Sequence, residues 1–358
     1  MQTLTLTCVS DPAALSILDL VPVPSGSNAA AALANSLRLA RHVDALGYVR
    51  YWVAEHHNMP GIASSSPPVL IGHLAGVTST MRIGSGGLML PNHSSLTVAE
   101  QFGMLEALHP GRIDLGIGRA PGTDQLTARA LRRESHERPD DFLEQFTDLV
   151  HYFQGDFPLD HPYRRIVATP ALGNMPALWL LGSSDYSARV AGLMGLPFSF
   201  AHHFMAANTT PALAEYRRSF RPSAHLEHPY VTIGVAVVCA PTDEEAQHLA
   251  APGGLAFVRL RQGRPGLFPS PQEAADHPYS AAERAAIDAR NADTVIGSPE
   301  TVRRRLSELA QVHGVQELMI TTNLHSHEDR IRSYDLVAEA MGLCPVHPLV
   351  SPGVAATA

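Results

Sequence analysis

The sequence predicts an α/β fold, a (β/α)8 TIM barrel with long loops at the C-terminal face of the strands. Short apolar runs rich in β-branched residues alternate with helical patterns eight times, and repeated βα units imply a parallel sheet that closes at eight strands. The 358 residues are 45% hydrophobic and 17% charged, which suits one large core. An open doubly wound sheet is the alternative. It requires a glycine-rich phosphate turn after the first strand, and neither GxGxxG nor GxxxxGK occurs.

The first half of the chain supplies four strand–helix units. A strand at 4–9 precedes a helix that Asn28 can cap and Gly47 can end. Later strands are expected at 51–54, 82–90 and 112–118, and later helices at 68–78 and 98–109. Prolines suit the first turn of a helix, whereas the glycines inside the third strand are unusual and need a separate reason.

The second half continues the alternation after a longer polar loop. Strands are expected at 177–182, within 198–204, at 230–239 and at 317–322. Helices are expected at 140–154, 187–194, 211–220 and 299–311, with a last helix from about residue 329. The result is one barrel domain at 1–344 with an irregular Pro/Gly-rich insertion at 252–296 and a frayed tail at 345–358. Loops 11–27, 120–138 and 252–296 are expected to cover a substrate.

Composition excludes several classes of function. The formal charge of −8 argues against nucleic acid as a partner, and all 26 basic residues are arginine, so lysine chemistry is excluded. Cys8, Cys239 and Cys344 are too few and too scattered for a disulfide framework or a zinc site. The first residues lack the basic segment and the long apolar run of a signal peptide, and no segment reaches about 18 uninterrupted apolar residues. We therefore expect a cytoplasmic protein without a membrane segment.

The second predicted strand ends in Glu55, His56 and His57. Adjacent side chains on an extended chain point to opposite sides, and no HExxH helix occurs, so a metal site is the weakest interpretation. A histidine that titrates near neutral pH and is oriented by a carboxylate would be an acid/base group. A structural histidine at a strand end is the remaining alternative.

Two further strand ends suggest ligand contacts. The glycines of "SGGLML" favour either a flat ligand lying on bare backbone or a barrel corner that needs room. In "GSSDYSA", Gly182 permits close approach, and Ser183, Ser184 and Ser187 precede or open a helix whose first N–H groups can bind an anion. Arg119 could add a charged contact to a phosphate. Ordinary helix capping by the serines is the alternative explanation.

Taken together, the motifs resemble the bacterial-luciferase-like flavin-dependent monooxygenases. The resemblance rests on "RYWVAEHHN", "RIGSGGLMLPNH", "EALHPGRIDLGIGRAPGTD" and "LLGSSDYSARVAGLMGLPFSFAHHF", and extends to "EDRIRSYDLVAEA". The order and spacing of these motifs are specific for the family. The most similar branch is that of polyketide-tailoring oxygenases. The chain differs from the light-emitting subunits in having Gly118 where they have a reactive cysteine.

The resemblance implies a barrel that binds reduced FMN (FMNH2) and O2 at the strand ends. A peroxyflavin would then epoxidise or hydroxylate a bulky, polyketide-like substrate. A non-prolyl cis peptide would lie at Gly86-Gly87, and the flavin phosphate would contact Arg119, Ser184, Ser187 and the backbone of Ser183. A second phosphate arginine could be Arg129 or Arg132. His56 would act in acid/base chemistry, and the substrate pocket would include Glu55, His57, His93, His202 and His203.

The resemblance also implies partners and alternatives. A separate NAD(P)H:flavin reductase would supply the flavin, and the early barrel helices would form a homodimer. The first alternative is a deazaflavin-dependent oxidoreductase of the same fold that transfers hydride without oxygen. The second is a non-catalytic barrel that stores flavin or supports a partner subunit. Titration with each reduced cofactor separates the first alternative from a monooxygenase.

Overall fold

In the computed structural model, residues 13–120, 122–131 and 141–344 are described. Within them, eight parallel strands close a barrel in the order β1-β2-β3-β4-β5-β6-β7-β9. The strands are β1 (Ala14–Asp19), β2 (Arg50–Val53), β3 (Arg82–Met89), β4 (Ile113–Gly118), β5 (Ala177–Gly182), β6 (Phe198–Phe200), β7 (Val231–Cys239), β8 (Val295–Gly297) and β9 (Glu317–Thr321). The short β8 pairs with the end of β7. The predicted (β/α)8 fold is confirmed.

Helices cover the outside of the barrel. They are α1 (Ala29–Asp44), α2 (Pro67–Val77), α3 (Ser95–Leu108), α4 (Gln125–Leu131), α5 (Phe142–Gln154), α6 (Asp185–Leu193), α7 (His202–Met205), α8 (Thr209–Ser219), α9 (Asp243–Arg261), α10 (Pro271–Asp276), α11 (Ala281–Ala292), α12 (Pro299–His313) and α13 (His327–Met341). Asn28 caps α1 as expected, because its Oδ1 accepts from the N–H of Ala31 at 3.0 Å. Gly314 ends α12 at a φ of 58°, in the left-handed region that favours glycine.

The first barrel strand differs from the prediction. The segment 4–9 lies outside the described residues, and β1 falls inside the expected loop 11–27. Asp19 ends β1 fully buried, and its Oδ1 lies 2.7 Å from Nη2 of Arg330 on α13. A buried aspartate looks like a loop residue unless its distant partner is known, so sequence pattern alone missed this strand.

The segment 252–296 is mostly helical, not irregular. It holds the end of α9, then α10, α11 and β8. Ser270 and Glu273 cap α10 reciprocally, and Ser280 and Glu283 do the same for α11. The glycines in α9 mark close helix packing, since a Cβ on Gly254 would lie 3.1 Å from the side chain of Ile287. The expected loop 120–138 contains α4, and residues 121 and 132–138 lie outside the described part.

Buried charges close the amino-terminal end of the barrel. Nη1 of Arg50 lies 2.8 Å from Asp114, and its Nε lies 3.0 Å from Glu317. Trp52 donates from Nε1 to Asp114 at 2.9 Å, and the Tyr230 hydroxyl donates to Glu317 at 2.8 Å. Because this end is filled by paired side chains, the open end is the one where the strands finish. Among the described residues, no helix has the length and apolar character needed to cross a membrane.

Candidate active site

Two adjoining cavities lie at the carboxyl ends of the strands. The small cavity, of about 260 Å³, is lined by residues at or near the ends of β1 to β6, by Gly234 of β7 and by Met319 of β9. The large cavity, of about 540 Å³, lies between the end of β7, the loop after β9, and helices α9 and α11. Leu20, His203 and Phe204 line both cavities. A ligand in one cavity can therefore be close to a ligand in the other.

Bare backbone forms one wall of the small cavity. The peptide between Gly86 and Gly87 is cis, as expected from the resemblance, and both glycines line the cavity. A Cβ on Gly86 would lie 2.9 Å from Leu18 and 3.0 Å from Trp52. Since Trp52 is fully packed, it cannot move away, and no larger side chain fits here. This segment of β3 thus presents peptide groups where other residues would present side chains.

His56 lines the small cavity, and His57 does not. The backbone N–H of His56 donates to the carbonyl of Ser64 at 3.0 Å, which fixes the start of the loop after β2. The buried Nδ1 of His56 has no hydrogen-bond partner among the described residues. Burial lowers the pKa of His56, the charge of Glu55 opposes this shift, and His57 adds to it. The imidazole is therefore neutral near pH 7, and its Nδ1 is not bound by any described protein group.

Glu55 does not orient His56, contrary to the expectation. Its buried carboxylate lies 2.9 Å from Nε2 of His57 and 3.0 Å from Nε2 of His93. It also accepts from the backbone N–H of Met89 at 2.9 Å. Burial alone would raise the pKa of Glu55, but the bonds to His93, His57 and Met89 lower it. Residues two apart on an extended chain share a side, so Glu55 and His57 face away from the small cavity while His56 faces it.

At the opposite end of the small cavity, β5 leads into α6 through Gly182, Ser183, Ser184 and Ser187, and all four line the cavity. Ser184 caps α6. The backbone N–H of Ser184 donates to the Ser187 hydroxyl, and the backbone N–H of Ser187 donates to the Ser184 hydroxyl, each at 3.4 Å. A Cβ on Gly182 would overlap the Ser187 side chain, so glycine is required there. These capping bonds are long for hydrogen bonds, whereas the Ser187 hydroxyl also donates to the Ser184 carbonyl at 2.8 Å.

Arg119 follows β4 and borders the same end of the cavity. Its guanidinium stacks on the ring of Tyr186 at 4.5 Å. Tyr186 was not identified from the sequence, although its position directly after "GSSD" was a usable signal. Arg129 lies on α4 and lines neither cavity, and Arg132 lies outside the described residues.

His202 and His203 have different environments. His203 lines both cavities, and its Nδ1 lies 3.0 Å from the carbonyl oxygen of Gly234. A Cβ on Gly234 would lie 2.6 Å from that ring, so this glycine in β7 makes room for it. His202 instead contacts Thr209 at 2.7 Å and lines neither cavity. Burial lowers the pKa of each histidine to about 4, so both rings are neutral near pH 7.

Several predicted residues lie behind the cavities. Glu55, His57, His93 and His202 line neither one. Sequence reasoning missed Phe204, which is 69% exposed at the junction of the cavities, and Arg290, which lines the large one. Glycine inside a strand, the signal used for Gly86, would also have identified Gly234. Within the described ranges, no group of three or more His, Cys, Asp or Glu side chains is arranged to hold a metal ion.

Known proteins resemble this chain over most of its length. Residues 14–317 match the family model for luciferase-like monooxygenases. A luciferase-like monooxygenase of Escherichia coli strain K12 is 43% identical over 326 residues, covering 91% of this chain and 96% of the relative. The N-acetyl-S-alkylcysteine monooxygenase of Bacillus subtilis strain 168 is 36% identical over 331 residues, covering 91% and 98%.

Solved structures share the fold. The apo form of MsnO8 superposes with a TM-score of 0.85 at 38% identity, covering 93% of this chain and 100% of that one. Two further structures are the oxygenating constituent of 3,6-diketocamphane monooxygenase in complex with FMN (TM-score 0.69) and an F420-dependent secondary alcohol dehydrogenase (TM-score 0.66). They are 17% and 14% identical to this chain, so their similarity shows only that the fold is shared. The family match and the relatives above 30% identity establish that the chain is an enzyme of the luciferase-like monooxygenase family.

Proposed function

We propose that this enzyme is an FMNH2-dependent monooxygenase that uses O2 to oxygenate a bulky, largely apolar organic substrate. The observation that carries the proposal is the small cavity. It combines a peptide wall at Gly86-Gly87, a hydroxyl-rich helix start beside Arg119, and the unpartnered Nδ1 of His56. A flavin needs a flat surface for its ring, a cationic or N–H-rich site for its phosphate, and a polar group near its reactive edge.

The residues at the two ends of the small cavity fit FMN. Arg119 would hold the phosphate together with Ser184, Ser187 and the backbone of Ser183. In this structure the Ser187 hydroxyl donates to the Ser184 carbonyl at 2.8 Å. It would turn away from that carbonyl in order to donate to a phosphate. At the other end, Gly86 and Gly87 leave the cavity face free for a planar ring.

Reduced FMN, when bound, supplies the electrons and the reaction with O2, and the chain supplies position and proton control. His56 would accept or donate a proton through its imidazole ring, whose Nδ1 bonds to no protein group. Its lowered pKa keeps the ring neutral near pH 7, so it can act as a base without first losing a proton. Leu20 and Phe204 would contact a ligand in either cavity.

The large cavity is the proposed substrate site. Its walls are mostly apolar, and it meets the small cavity at Leu20, His203 and Phe204. This shape suits a polyketide-like molecule, the expectation from the sequence. The name of the Bacillus relative adds S-alkyl thioethers as a second class to try.

Two partners belong to the proposal. A separate NAD(P)H:flavin reductase would supply FMNH2, since the sequence has no nicotinamide fingerprint.

A homodimer would form through α2 and α3, where Val69, Met104 and Leu108 are large apolar side chains exposed to solvent. Sedimentation of Leu108→Glu should then show monomer, whereas Leu126→Glu on α4, also exposed, should leave the dimer intact.

Anaerobic titration tests the cofactor. We expect FMNH2 to bind at least tenfold more tightly than reduced F420. Tighter binding of reduced F420 would favour the hydride-transfer alternative. Tight FMN binding without turnover, in the presence of a reductase and substrates of both classes, would favour a non-catalytic barrel.

A further inference from the structure

Arg290 lies in the last turn of α11 and lines the large cavity. Its guanidinium packs beside α9, where a Cβ on Gly253 would lie 3.6 Å from Nη2, and it lies 5.8 Å from the ring of Phe257. Burial lowers the pKa of Arg290, and no neighbouring charge counteracts that shift. A cation is thus held against apolar groups at the edge of the proposed substrate site.

Arg290 has no carboxylate partner in the described part of the chain. Its Nη1 donates a 3.1 Å hydrogen bond to Oδ1 of Asn291, and Asp293, which lines the same cavity, does not come within 4.0 Å. By contrast, Arg259 on the same cavity is paired with Glu273 at 3.3 Å. An unpaired charge in an apolar site is unfavourable, and an anion that enters the cavity relieves that cost.

Two neutral polar atoms on the same cavity are also without partners. Oγ1 of Thr321 and Oδ1 of Asn323 are buried and make no hydrogen bond within the described residues. They lie at the end of β9 and just after it, and the Thr321 residue is only 4% exposed. Buried polar atoms normally have a partner, so a donor group on a ligand would satisfy either atom if its side chain turned toward the cavity.

From this arrangement we infer that the substrate of the large cavity is an organic carboxylate with an apolar body. Its carboxylate binds Arg290, and an N–H or O–H of the same molecule donates to Asn323 or Thr321. The inference rests on the proposed function to the extent that the large cavity is the substrate site. Arginine suits this role because its planar guanidinium can donate two parallel bonds to one carboxylate.

The test uses the full-length chain with oxidised FMN present and two matched probes. N-Acetyl-S-benzylcysteine carries a carboxylate, and its primary carboxamide has the same shape without the charge. Calorimetry should show that the acid binds wild type at least tenfold more tightly than the amide. Arg290→Gln should weaken acid binding by about ten- to a hundredfold, the usual effect of losing one charged hydrogen-bonded pair, with amide binding unchanged. Arg290→Lys should recover part of the loss.

Arg284→Gln is the matched control. Arg284 lies on the same helix, contacts Tyr279 and lines neither cavity, so its loss should leave both probes unaffected. Equal binding of acid and amide to wild type, no binding of the acid, or unchanged acid binding by Arg290→Gln would each overturn the inference.

FMN affinity measured in the same samples separates this inference from the proposed function. A protein that binds FMN but shows no preference for the acid contradicts the inference alone. A protein that prefers the acid through Arg290 but fails to bind FMN contradicts the proposed function alone.

Discussion

The backbone N–H of Met89 donates a 2.9 Å hydrogen bond to Oε2 of Glu55, and this bond joins the loop after β2 to the end of β3. Met89 follows Gly86-Gly87 by two residues, so Glu55 holds in place the peptide wall of the small cavity. His57 and His93 bind the same carboxylate from the far side. The acidic residue of the "EHH" motif is therefore a positioning residue for the cavity wall.

Glu55→Gln should make stability less dependent on pH. The folded-state pKa of Glu55 lies below its ordinary value of 4.5. The ionised carboxylate therefore contributes fully to the free energy of unfolding above pH 4.5, and this contribution is lost as pH falls through the folded-state pKa. Denaturant melts from pH 7 to pH 3 should show the wild type losing its advantage over Glu55→Gln below about pH 4.5. A constant difference between the two proteins across that range would contradict this assignment.

His56→Ala should reduce kcat strongly while leaving FMN binding and thermal stability close to wild type. The side chain lines the cavity and its Nδ1 bonds to no protein group, so its removal breaks no hydrogen bond within the described residues. Loss of a general acid/base commonly costs about 10²- to 10⁴-fold in rate. The exposed His248→Ala on α9 is the control. Wild-type turnover by His56→Ala would remove its proposed role.

The pH dependence of turnover gives a second test of His56. Burial lowers its pKa below the ordinary 6.5, so the ring takes up a proton only in more acidic solution. If the neutral ring is required, kcat/KM should be level from pH 7 to 8 and fall only below about pH 6.5. A fall that begins above pH 7 would show that another group controls the rate.

Gly86→Ala should destabilise the protein and weaken FMN binding. The added Cβ would lie 2.9 Å from Leu18 and 3.0 Å from Trp52, both buried, and overpacking of this kind costs about 1–3 kcal/mol. Gly76→Ala on α2 is the matched control, because its Cβ meets nothing within 4 Å and alanine favours a helix. Chemical denaturation and flavin titration measure both effects. Equal behaviour of the two variants would contradict the packing argument.

Arg119→Gln should weaken FMN binding without affecting riboflavin. Riboflavin lacks the phosphate, so a phosphate contact worth about 1.5–3 kcal/mol is lost for FMN alone, about ten- to a hundredfold in Kd. Ser184→Ala should act in the same direction with a smaller effect. Fluorescence titration of both flavins with both variants is the measurement. Equal losses for FMN and riboflavin would place Arg119 away from the phosphate.

The sequence predicted most of the architecture because the patterns involved are local. The strand at 177–182 matches β5 at both ends, and Asn28 caps α1 as its residue type indicates. The SxxE signals at Ser270 and Ser280 were also local and could have revealed α10 and α11. β1 could not be found in this way, because the charge of Asp19 is balanced in the core by Arg330, 311 residues away.

The sequence predicted which strand ends form the site, but not which side chains contact one another there. Strand order brings His56, Gly86 and Ser184 to one cavity, as residues at the carboxyl ends of parallel strands must be. Two partners of Glu55, Met89 and His93, lie at the end of β3 and in the loop after it, and Arg290 reaches the large cavity through packing of α11 on α9. Such relationships depend on tertiary packing, which no spacing along the chain encodes.

The most direct measurement supplies the enzyme with FMN, a flavin reductase, NADH and N-acetyl-S-benzylcysteine under ¹⁸O₂. The account predicts one ¹⁸O atom in each product molecule, dependence on both flavin and O2, and a large loss of product with His56→Ala. Product without ¹⁸O, or turnover supported by reduced F420 in the absence of O2, would contradict a flavin-dependent monooxygenase.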